Sequence, residues 1–125
     1  MSDKELLDYF GQKFIKHVRD QAIFEFESTL SGKMKSERAI KLSNELKSLY
    51  ENQIDILRKA IFMSIDSAIY NTLDMLEQNE ESMKLLISKE GNDERNVVKI
   101  SDGLSGELFT EDGWIAKFSK YREYE

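Results

Sequence analysis

The sequence has no cysteine, no proline, one histidine and one tryptophan in 125 residues. The lack of cysteine excludes a disulfide framework, thiolate metal ligation and a cysteine nucleophile, and it suits a reducing compartment. Long apolar runs are missing too. No uncharged stretch approaches the roughly 18 residues that a membrane-spanning helix needs. The opening MSDKELLDYFGQKF is charged throughout and contains no secretory apolar core, so a cytoplasmic protein without membrane association is expected. Positive charge is also in deficit. Eighteen Lys and Arg stand against 24 Asp and Glu, a net charge of −6. Because phosphate neutralisation dominates nucleic-acid affinity, DNA and RNA are poor partner candidates. An acidic surface favours solubility and attraction to a basic partner.

Glycine is scarce at first and then concentrated. Gly11 and Gly32 are the only two before residue 91, whereas Gly91, Gly103, Gly106 and Gly113 fall in the last 35 positions. The length fits a single domain spanning 1–125. Its expected class is mainly α, or α+β. Residues 1–90 form a three- or four-helix bundle, and a small C-terminal antiparallel β-meander over 97–121 packs on it.

Ser2 with Glu5 three residues later is a capping-box pattern, so a helix starts there. Leu6, Leu7, Phe10, Phe14, Val18, Ala22, Phe26 and Leu30 continue at spacings of three and four as one apolar stripe. Gly11, costly in a helix by about 1 kcal/mol, suggests a close approach by another element. Ser31-Gly32 ends the helix, with Gly32 as a left-handed terminator. A second start lies at Ser36. Helical spacing then continues without glycine to Gln78, which as one rod spans about 65 Å at 1.5 Å per residue. That is too long for so small a domain. A break is therefore expected near Phe62-Met63-Ser64, with another at Gln78–Glu81 before a short helix over 82–88.

The C-terminal part reads as turns and strands. Lys89–Asn96 is a polar loop, and Val97–Ile100 is short and β-branched. Glu107–Thr110 and Trp114–Ser119 are strand candidates joined through Glu111-Asp112-Gly113, since Asp-Gly favours a tight hairpin. Trp114 and Phe118 are the expected anchors onto the helices, with Tyr121 and Tyr124 more exposed.

Few motifs carry chemistry. The Gly-rich run at 101–106 lacks phosphate-loop spacing, and Asn92-Asp93-Glu94 lacks the alternating oxygen ligands of a calcium loop. Gly-x-Ser-x-Gly is absent. His17 and Asp20, one turn apart, are a weak metal-ligand pair that Asp66 and Asp74 from another helix would have to complete. The paired Glu-x-x-His motifs of dimetal bundles are missing. Asp66, Tyr70, Asn71 and Asp74 share helical spacing and are expected to form a satisfied polar network.

With no cofactor and no catalytic residue identified, the expected function is a non-catalytic protein-binding module, possible as a homodimer. Small acidic helical domains of this composition include immunity and antitoxin proteins, an analogy of composition alone. The expected interaction surface is Asp102, Glu107, Glu111, Asp112, Trp114 and Lys117. The alternative is a metal- or carboxylate-dependent hydrolase inside the bundle, built from His17, Asp20, Asp66 and Asp74.

Overall fold

Helix α1 (Asp3–Phe14) begins where the capping box predicts. Glu5 N–H donates to Ser2 Oγ (3.1 Å), and Ser2 N–H donates to Glu5 Oε1 (3.4 Å). Hydrogen bonding from Ser2 holds the Glu5 carboxyl below its ordinary value. The structure, a computed structural model, describes residues 2–91 and 93–122. The helix runs through a wide π-helical turn (Ile15–Asp20) into α2 (Gln21–Leu30). Gly32 then takes φ +76°, and Lys33 N–H donates to Ser28 O (2.9 Å), closing the end as a Schellman motif.

Helix α3 (Glu37–Leu46) is capped by the Ser36 hydroxyl, which accepts from Ala39 N–H (3.2 Å). The break expected at Phe62-Met63-Ser64 lies at 47–50 instead, and α4 (Glu51–Gln78) passes through Phe62 unbroken. Side-chain hydrogen bonds take over the helix ends there without glycine or proline. Ser48 Oγ donates back to Glu45 O (2.8 Å), and Tyr50 N–H donates to Gln53 Oε1 (2.8 Å) to start the next helix. The second expected break, after Gln78, is present.

The molecule is a helical bundle with one small antiparallel pair, as its composition predicts, but the strands lie elsewhere. The pair is β1 (Leu86–Ile87) with β2 (Arg95–Asn96), in register Leu86 to Asn96 and Ile87 to Arg95. The helix expected over 82–88 is therefore an extended segment. The meander expected over 97–121 is replaced by a turn at 97–100, a 3₁₀ turn (Leu104–Glu107) and the short helix α5 (Trp114–Phe118). Gly113 explains the misreading. Its φ of −75° needs no glycine, but an added Cβ would come within 2.7 Å of Leu108 O. The residue is there to let backbones approach, so Asp112-Gly113 caps a helix and makes no hairpin.

The tail packs as expected from its aromatic content. Trp114 is 1% exposed and joins Leu7, Ile15, Ile69, Leu73, Val97, Leu104, Leu108 and Ile115 in one core. Phe10 meets its indole edge-on at 5.5 Å. The indole lies directly against Gly11, where any Cβ would overlap the ring. At the opposite end, α3 contributes only one buried residue, Ser43, whose Oγ has no hydrogen-bond partner among the described residues.

Two stability tests follow from these contacts. Gly11→Ala gains about 1 kcal/mol of helix propensity but collides with the indole, and overpacking costs about 1–3 kcal/mol. Urea denaturation is expected to show net destabilisation. Ser43→Ala removes an unpaired buried hydroxyl and is expected to raise stability by about 1 kcal/mol in the same assay.

Candidate functional site

The wide turn at Ile15–Asp20 sets the geometry of the most polar part of the interior. Two successive residues of this turn, which point about 100° apart in a regular helix, are both buried, at 1% for Arg19 and 7% for Asp20, while Val18 of the expected apolar stripe is exposed. Single π turns recur at functional positions because they re-aim side chains in this way.

Arg19 uses its whole guanidinium. Nε and Nη2 donate to the two Asp66 oxygens (2.6 and 3.4 Å), Nη1 donates to Ser119 Oγ (2.9 Å) and to Tyr121 O, and Nη2 reaches Arg122 O (3.4 Å). Asp20 completes the tie by accepting from Ser119 Oγ (2.6 Å) and Lys120 N–H (2.8 Å). The long helical rod, α4 and residues 119–122 thus converge on one buried ion pair. The Phe62 ring lies beneath the guanidinium, 5.6 Å away.

Above this network opens an apolar groove of about 630 Å³. Phe62 and Arg19 line its base, while Met63 and Tyr70 of α4 and Phe109 border it, with Lys59 and Arg122 also in the lining. Tyr70 and Phe109 stack at 6.0 Å. A second hollow, bordered by Glu111, Ile115 and Ala116, adjoins the groove through Asp66, Phe109 and Arg122.

Five of the six residues expected to form an interaction surface do meet. Asp102, Glu107, Asp112, Trp114 and Lys117 line a shallow hollow beside Asp3 and Asp8 at the start of α1. Glu111 lies apart, in the hollow beyond Phe109. Trp114 is the correction within this set. Its indole fills the core against Gly11 and offers almost no surface to a partner. Lys117 bonds Asp8 (3.1 Å), and Glu107 accepts from Ser101 Oγ (3.1 Å).

The alternative metal set does not assemble. His17 is exposed, Asp20 is held by Ser119 and Lys120, and Asp66 is held by Arg19. Among the described residues no group of three or more His, Cys, Asp or Glu could hold a metal. The polar network expected from Asp66, Tyr70, Asn71 and Asp74 is likewise not formed. Asp66 pairs with Arg19, Tyr70 and Asn71 are exposed at the groove, and Asp74 is outside its lining. Tyr124 and Asn92 lie outside the described residues. Among the described residues, no helix is long and apolar enough to cross a membrane.

Sequence reasoning missed Arg19, Ser119, Met63 and Phe109. No local signal pointed to them, since the stripe Phe14, Val18, Ala22 passes Arg19 and Asp20 without a gap.

Arg19 is buried, but the Asp66 side chain is 26% exposed, so Arg19→Ala is expected to cost about 1–3 kcal/mol by chemical denaturation, from the groups left unpaired. Arg19→Lys should recover only part of it, since an ammonium cannot reproduce the two-pronged contact with Asp66. In comparisons with known proteins the chain matches no family model, no curated protein and no solved structure, so its site is defined by geometry alone.

Proposed function

We propose that this protein works by binding another protein, without catalysis, and that the groove along α4 is the docking surface. The observation that carries this reading is an uncovered apolar groove beside α4. Ile56, Met63 and Tyr70 recur every seven residues on α4; Met63 and Tyr70 line the groove with Phe109, and Ile56 lies outside its lining. Their exposures are 64%, 69%, 39% and 53%. Single exposed apolar residues are ordinary on any surface, whereas a contiguous patch marks an interaction site.

The residue types support the same reading. Tyrosine and phenylalanine bury large area at low entropy cost, and methionine adapts its shape to a partner. The rim is polar, through Lys59, Ser67, Asn71 and Arg122, and an apolar centre within a polar rim is the usual anatomy of an interface. The acidic hollow at Asp102, Glu107 and Asp112 offers less apolar contact, because its aromatic residue belongs to the core. A second copy of the chain is one possible partner.

Met63→Glu combined with Tyr70→Glu places two charges where apolar contact is expected and disturbs no buried group. Affinity capture from the native source should retain at least one protein on the wild type and lose it on the double variant, with melting temperatures unchanged. The same variant should convert any dimer seen by sedimentation equilibrium to monomer. Identical capture and identical mass for both proteins would rule the groove out.

A further inference from the structure

We infer that the partner segment docking in the α4 groove is an acidic amphipathic helix. The inference rests on the docking reading above and adds the chemistry of the occupant. It comes from the charge of the groove set against the charge of the chain. The lining contains three cations, Arg19, Lys59 and Arg122, and one carboxylate, Asp66. Arg19 and Asp66 neutralise each other through their two-pronged contact. Lys59 and Arg122 remain, exposed, and neither forms an ion pair among the described residues. This chain has 24 acidic residues against 18 basic ones, yet this apolar groove has a positive surplus. Glu111 lies outside the groove lining, in the adjoining hollow that Arg122 also borders.

Shape selects a helix. The exposed apolar positions from Ile56 to Tyr70 span 14 helical steps of α4, about 21 Å at 1.5 Å per residue. Their seven-residue repeat is the spacing at which one helix packs along another. A groove bordered by half-exposed side chains is an open trough, suited to a long segment more than to a small enclosed ligand. An occupant with apolar residues at i, i+3, i+4 and i+7 would cover Met63, Tyr70 and Phe109. Glutamates or aspartates flanking that face would then meet Lys59 and Arg122. Charge of this kind at a rim sets partner choice and association rate, while the apolar contact supplies most of the affinity.

Fluorescence anisotropy on the full chain can decide this with two labelled synthetic helical peptides of about 18 residues, or about 27 Å. Both have leucines at i, i+3, i+4 and i+7, one flanked by glutamates and the other by lysines. The glutamate peptide should bind at least about tenfold more tightly than the lysine peptide, and added salt should weaken it. Lys59→Glu should reverse the preference, and Met63→Glu should abolish binding of both, with melting temperatures unchanged. Equal or tighter binding of the lysine peptide, still lost on Met63→Glu, would overturn the acidic partner and leave the groove standing as a docking site. Binding of neither peptide, or binding indifferent to Met63→Glu, would overturn both.

Discussion

A guanidinium buried to 1% exposure holds this molecule in one arrangement. A guanidinium carries five N–H donors, so the place of Arg19 in the interior depends on partners that satisfy each of them. Those partners come from two separate parts of the chain: Asp66 on α4, and the segment after α5 that supplies Ser119 and the carbonyls of Tyr121 and Arg122. Displacing either would strand polar groups away from water. The ion pair therefore contributes specificity of assembly more than raw stability, since the desolvation of both charges offsets much of their attraction. Asp20, turned inward by the same wide helical turn, fixes Ser119 from its other side.

The remaining packing is divided unevenly. Around Trp114 the core is dense, and α1, α4 and α5 approach closely enough that Gly11 has no room for a methyl group. Around α3 the interior is thin, and the hydroxyl of Ser43 is buried with no partner among the described residues. Helix α4 connects both regions. One face supplies Ile69 and Leu73 to the core, while another displays Met63 and Tyr70. That display is held in place because a neighbouring face of the same helix is anchored in the core.

Much of the helical framework was legible because its signals are local. Ser2 with Glu5, Ser36, and Ser31-Gly32 act within one turn of themselves, and each does in space what its spacing implies. Gly11 was legible as a close-approach position, though not the indole that fills the space. The tail was misread because its residues answer to distant contacts. Val97 and Trp114 are β-formers by type, yet they fold into a turn and a short helix around the core that α1 and α4 present. The break at 47–50 was invisible for a related reason, since serine and glutamine side chains end helices without the glycine or proline that usually marks a stop. The site was the least legible part. Nothing local tells a helical arginine that it will be buried, and Phe109 becomes a groove wall only once the chain has returned to stack it on Tyr70.

The wide turn between Ile15 and Asp20 also bears on ancestry. A π turn adds about one residue to the helical circuit, and it falls between buried Leu7, Gly11 and Ile15 and buried Ile23 and Ser28. A cousin of this chain built on an uninterrupted α-helix would be one residue shorter there. Aligning the two without a gap at that point would rotate every position downstream by about 100° around the helix axis.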